Sequence, residues 1–147
     1  MSRIAKFLAL SGGDRALLLE ASVALVAMRA GVLAFSYPRV RKMVARASAP
    51  RAREPEQARP GPDKIAWAVA AASSAIPGGG NCLVRALATE VMLGRAGYPC
   101  QLRIGVAKPN ADGFKAHAWL ESGGKIVIGR FELGEYVALD RRPEAGN

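Results

Sequence analysis

One histidine, two cysteines and few aromatic residues (6%) among 147 positions narrow the field before any pattern is read. Two cysteines cannot build a disulfide scaffold, and one His with two Cys is too poor a ligand set for a structural zinc site. No metal and no cofactor is expected. Acidic residues are also short, 12 against 21 Lys and Arg, for a formal charge of +9. No nucleic-acid fold signature accompanies that excess and no aromatic side chains interleave with the arginines, so no nucleic-acid partner is expected. A long uncharged apolar run is missing too. Ala16 to Phe35 is apolar, yet Glu20 and Arg29 lie within it, leaving only Ala21 to Met28 between them, where a membrane span needs about 20 residues. The expectation is a cytoplasmic protein with at most peripheral membrane contact.

Half of the residues are apolar, which excludes global disorder. A chain of about 150 residues buries roughly two-thirds of its unfolded surface, enough for one modest domain and an appendage. The charge is unevenly placed. Residues 1–64 hold 12 basic and 5 acidic side chains, residues 65–147 hold 9 and 7. Seven of the basic residues lie between Arg39 and Arg59, with Pro50, Pro55, Pro60 and Pro62 in or beside that stretch. Proline without apolar periodicity reads as a connector. The expected division is a helical region over 1–46 that packs on the domain or receives a partner, a basic linker over 47–62, and a catalytic domain over 63–147. Removal of residues 1–45 is then expected to abolish partner binding and leave the domain folded.

In the N-terminal region, Ser11 followed by Asp14 is a helix-capping pair, and Leu18, Ala21, Leu25, Met28 and Val32 recur at helical spacing until Tyr37-Pro38 ends the run. Asp63-Lys64 opens a second helix with Ile65, Ala68, Val69, Ala72 and Ile76 on one face and Trp67 beside it as core. Pro77-Gly78-Gly79-Gly80-Asn81 stops it. A third helix runs from Cys82 to a cap at Gly97. After Pro99 the period becomes 2. Cys100, Leu102, Ile104 and Val106 alternate with polar or small residues, Ala116, Ala118 and Leu120 alternate with His117, Trp119 and Glu121, and Gly123-Gly124 makes a hairpin turn into Lys125–Ile128. A short last strand fits Glu135 to Leu139. The fold class is α+β, with one helix against a small antiparallel sheet.

The two cysteines differ. Cys100 keeps register with apolar neighbours and reads as a small buried hydrophobe. Cys82 follows a glycine-rich loop and opens a helix, where backbone N–H groups and the helix dipole favour an anion. His117, the only imidazole, lies on a strand that the start of such a helix can meet. A thiol beside an imidazole is the usual activated pair for attack on an acyl carbon, the His later protonating the leaving group. An oxyanion hole would include the backbone N–H of Cys82.

The segments CLVRAL at Cys82–Leu87, LRIGV at Leu102–Val106 and AHAW with its Glu at Ala116–Glu121 resemble the transglutaminase-like cysteine peptidases of lasso-peptide biosynthesis, over Ile65 to about Leu139. The resemblance implies a transglutaminase/papain-like core with Cys82 as nucleophile and His117 as general base and acid. It further implies removal of the leader from a ribosomally made precursor peptide. A small leader-recognition protein would deliver that precursor, and a macrolactam synthetase is a further partner the family context allows. The apolar helix Ala16–Phe35 is the candidate docking surface.

The family commonly completes the triad with an Asp about a dozen residues after the His, and here Gly129 and Arg130 stand there. A regular hairpin would put Arg130 across from His117, the wrong charge for holding an imidazolium. Glu132, Glu121 and a backbone carbonyl are the alternatives, and the third member stays unassigned. Two other functions fit the same residues: a transamidating acyltransferase on the Cys–His pair, and a non-catalytic basic adaptor acting through Arg39–Arg59.

Overall fold

The computed structural model describes residues 2–50, 59–76, 81–107, 116–129 and 136–138. In chain order the helices are α1 (Arg3–Leu8), α2 (Gly12–Ala34), α3 (Tyr37–Ala47), α4 (Pro62–Ala75) and α5 (Cys82–Arg95). The strands β1 (Gln101–Ala107), β2 (Ala116–Ser122), β3 (Lys125–Ile128) and β4 (Tyr136–Ala138) follow. The loop at 77–80, the stretch 51–58, Arg130 and Glu132 fall outside the described residues.

The helix starts obey their capping chemistry. Ser11 Oγ accepts from the Asp14 N–H at 3.2 Å at the head of α2. One expectation is corrected at the other end of that helix. Tyr37-Pro38 does not mark its end: α2 closes at Phe35, whose N–H reaches Gly31 O at 2.9 Å, and the proline sits in the first turn of α3. Proline fits there because the first helical N–H groups have no partner within the helix to lose. Helix α5 closes with paired bonds from Tyr98 N–H to Leu93 O (2.9 Å) and Gly97 N–H to Gly94 O (3.0 Å), which turn the chain sharply toward β1.

The sheet has the order β3-β2-β1-β4, each neighbouring pair antiparallel. Its central pair runs Gln101 opposite Glu121 through Gly105 opposite His117. Gly123 and Gly124 take φ +61° and +80°, the two left-handed residues that a tight two-residue hairpin demands. The α+β class and the helix-on-sheet layer expected from the sequence are those observed.

A single apolar cluster joins everything. Leu17, Ala21, Leu25 and Met28 of α2, Val40 and Val44 of α3, Ile65, Ala68, Val69 and Ala72 of α4, Leu87 and Val91 of α5, and Ala118, Leu120 and Ile128 of the sheet belong to it. The division into 1–46, 47–62 and 63–147 is therefore not a division in packing, and removal of residues 1–45 would take six of these buried side chains with it. Polar ties reinforce the join. Arg41 of α3 grips Glu90 of α5 through both guanidinium nitrogens (2.5 and 3.0 Å), and Lys64 of α4 meets Asp14 of α2 at 3.0 Å. The described ends of the basic stretch lie against α5 as well: Arg95 Nε donates to Ala47 O at 3.1 Å, and Arg59 Nη1 to Ala96 O at 3.2 Å. Trp67 is the other correction. It is 40% exposed, with the Lys64 ammonium 4.9 Å from its ring centre.

By length and composition alone α2 is apolar enough to cross a membrane, but its inner face is core. Its outer face leaves Leu19, Val23, Val26 and Leu33 exposed, a stripe at helical spacing.

Candidate active site

Cys82 is the first residue of α5 and is half-buried at the margin of the apolar cluster. Asn81 before it is the N-cap. Its Oδ1 accepts from Leu83 N–H at 2.9 Å and Val84 N–H at 3.4 Å, while its backbone carbonyl accepts from Arg85 N–H at 3.0 Å. A helix begins with four N–H groups that have no partner inside it. Asn81 Oδ1 takes two of the four, those of Leu83 and Val84, and the N–H of Cys82 is not one of them. Arg85, one turn on, holds its Nε shielded from solvent with no partner among the described residues.

The order of elements sets how β2 runs relative to α5. From the end of α5 the chain turns at Gly97 into β1, and β2 returns antiparallel to β1, so β2 runs in the same general sense as α5. The contact of Ser122 Oγ with Pro99 O (2.7 Å) ties the end of β2 to the end of α5. Within β2, Ala118 and Leu120 enter the apolar cluster, and His117 and Trp119 take the alternate face.

That alternate face is not a solvent face. His117 is 7% exposed and Trp119 4%. The two rings stack with centroids 6.2 Å apart and planes 22° from parallel. Across from His117 on β1 stands Gly105, which has no side chain to crowd the imidazole. Trp119 Nε1 donates to Glu121 Oε1 at 3.1 Å, and Arg103 Nε approaches Glu121 Oε2 at 3.5 Å. Glu121, one alternative for steadying the imidazole, has its two oxygens on Trp119 and Arg103.

The imidazole makes a contact with the main chain. His117 Nε2 lies 2.6 Å from Gly129 O; a carbonyl only accepts, so Nε2–H donates. Before this point β2 and β3 change register between Leu120 and Glu121: Ser122 faces Lys125, but Leu120 faces Ile128. Gly129 departs from the strand at φ +81° with its carbonyl toward His117.

Cys100 sits at the opposite end of α5, half-buried, its sulfur 4.0 Å from Glu90 O. Burial pushes its thiol up to about 11, with the Glu90 carboxylate adding to the rise and Arg41 opposing it. Among the described residues no three His, Cys, Asp or Glu side chains gather as a metal-binding group.

Sequence reasoning singled out Cys82 and His117 as the candidate pair. It passed over Asn81 as a cap, although an Asn directly before an apolar helical run is a common start signal. Which carbonyl holds the imidazole has no signature in the side chains at all.

The described fold is a helix that begins on a cysteine, laid on an antiparallel sheet whose second strand carries a histidine. Residues 24–139 match the model of the transglutaminase-like superfamily, and the chain belongs to that superfamily, which includes cysteine peptidases and acyltransferases. The match begins inside α2 and runs across the basic stretch, in keeping with one shared core. No curated protein and no solved structure matches the chain.

Proposed function

We propose that the chain is a cysteine endopeptidase, acting in the cytoplasm, that removes the leader from a ribosomally made lasso-peptide precursor. Cys82 is the nucleophile and His117 the proton carrier. The observation that carries this reading is the helix start. The sulfur stands on the first residue of α5, beside the N–H that Asn81 leaves out of its cap. His117 cedes no catalytic alternative elsewhere, being the single histidine of the chain.

The chemistry follows from those positions. Cys82 Sγ adds to the carbonyl carbon of the scissile peptide bond as its proton passes to His117. The developing oxyanion is met by the Cys82 N–H. The C–N bond breaks, and the imidazolium protonates the departing amine of the core peptide. The leader's carboxyl end is then a thioester on Cys82. Water, deprotonated by His117, attacks it and releases the leader acid, and the proton returns to the thiolate.

Selectivity comes from tethering. A leader-recognition partner that holds the precursor raises the local concentration of the scissile bond to the millimolar range. The outward stripe of α2, Leu19, Val23, Val26 and Leu33, supports α2 as its docking place, and a macrolactam synthetase consumes the freed core.

The test is cleavage of a leader–core precursor followed by mass spectrometry, with and without the leader-recognition protein. Two free fragments, formed faster with the partner and not formed by Cys82→Ala, are expected. A cross-linked product would instead mark an acyltransferase, and equal rates with and without the partner would refute tethering.

A further inference from the structure

We infer that the main-chain carbonyl of Gly129 is a positioning group for His117, fixing the direction of its ring through a backbone dipole. Three independent features of the structure meet at this contact. The bond itself is short for N–H···O, 2.6 Å, and lies at a buried imidazole. The glycine that supplies the carbonyl is held at φ +81°, a conformation most side chains resist, and a Cβ on it would stand 2.7 Å from Ala118 O and 3.0 Å from Trp119 Cα and Cβ. The chain is brought there by the register step between Leu120 and Glu121, which is an irregularity the sheet does not otherwise need. Trp119, stacked beside the imidazole and held by Glu121, closes the other side.

The direction of the bond selects the tautomer. A carbonyl takes a proton only from Nε2–H, so the neutral ring carries its hydrogen on Nε2 and its lone pair on Nδ1. Nδ1 is then the atom that receives the Cys82 proton. The carbonyl carries no full charge: it fixes the ring's direction without adding the Coulombic attraction for an imidazolium that a carboxylate supplies. The assignment of Nδ1 as base rests on the peptidase reading above; the tautomer does not.

The single histidine makes the experiment unambiguous. A tag-free, uniformly 15N-labelled full chain gives one imidazole in long-range proton–nitrogen NMR spectra. At a pH where the ring is neutral, Nε2 is expected as the protonated nitrogen and Nδ1 as the unprotonated one, with no averaging between them. An Nδ1–H ring, or a fast average of both forms, overturns the assignment. Gly129→Ala, through its close contacts, is expected to release the ring to averaged tautomers, to lower kcat for precursor cleavage roughly 10- to 100-fold with little change in KM, and to move the pH–rate profile. Gly124→Ala is the control. Its φ is +80° but a Cβ there meets open space, so it carries the backbone strain and keeps the Nε2–H form. A folded Gly129→Ala that keeps a single Nε2–H tautomer and the parent pH profile overturns the proposal. Should that variant not fold, the parent spectrum decides alone. The spectrum needs no substrate, so a wrong tautomer leaves the peptidase to the cleavage assay, and a missing Cys82-dependent cleavage leaves the tautomer to the spectrum.

Discussion

One cysteine opens α5 and the other, just before β1, packs against its C-terminal half, and the two surroundings are built in opposite ways. At the C-terminal end the groups are spent. Glu90 is held by both nitrogens of Arg41, Arg95 and Arg59 donate to carbonyls of neighbouring segments, and the backbone at Gly94 lies so close to Ser48 that a Cβ would stand 2.5 Å from its carbonyl oxygen. Cys100 sits in that closed end with its thiol pushed up to about 11. At the N-terminal end the Asn81 side chain takes two of the four unpartnered N–H groups, the sulfur of Cys82 is half-buried, and Arg85 keeps a shielded donor without a partner among the described residues. The difference separates structure from chemistry. Closed hydrogen bonding rigidifies one end, and under the proposed function the donors kept out of that network at the other meet transition-state charge.

The sharpest way to break this contrast is to exchange the roles of the cysteines. Cys82→Ala is expected to lower precursor cleavage roughly a thousandfold or more with an unchanged thermal midpoint, whereas Cys100→Ala keeps cleavage within about threefold. Comparable losses from both, in a rate assay paired with thermal melts, would erase the distinction. Next in size is Gly94→Ala. Alanine ordinarily favours a helix over glycine by about 1 kcal/mol, but here Ser48 is in the way, and a loss of roughly 1–3 kcal/mol is expected from overpacking. Gly13→Ala in α2, where a Cβ meets nothing within 4 Å, is expected to be neutral or slightly stabilising. Denaturant titration of both variants sharpens the claim that the closed end is tight.

Arg41→Ala follows, leaving the Glu90 carboxylate partly buried without its fork, for about 1–2 kcal/mol. Calorimetry should register it while Cys82-dependent turnover persists. The smallest effect is in alkali. The Cys100 thiol ionises near 11 when folded and near 8.5–9 when unfolded, so the unfolded chain gives up its proton first. The contribution is intact below the unfolded value and is lost as pH rises toward 11. Wild type should therefore lose thermal stability between pH 9 and 11 more steeply than Cys100→Ala, and parallel curves would show that burial at this end does not act on the thiol.

Much of the fold was legible because it is written locally. Ser11 with Asp14 marked a helix start, Gly97 a helix end, Gly123-Gly124 a hairpin, and the change of period after Pro99 the passage from helix to strand. Pro38 misled, since the same residue that stops one helix is tolerated in the first turn of the next. The apolar length of α2 was plain, but its partner surface was not: Leu17, Ala21, Leu25 and Met28 meet α4 and α5, tens of residues away, and no local pattern names the surface that will cover a stripe. At the site, Cys82 and His117 stood out by residue type. The register step between Leu120 and Glu121 did not.

From the sequence alone follow the reactive side chains, the class of each element and the scarcity of alternatives, because one imidazole and one helix-start thiol are matters of composition and short-range order. Tertiary structure alone decided that the N-terminal helices belong to the same core, that β2 runs in the same general sense as α5, and that a carbonyl faces the histidine. Those depend on packing between distant segments and on backbone atoms, which every residue carries alike and only geometry tells apart.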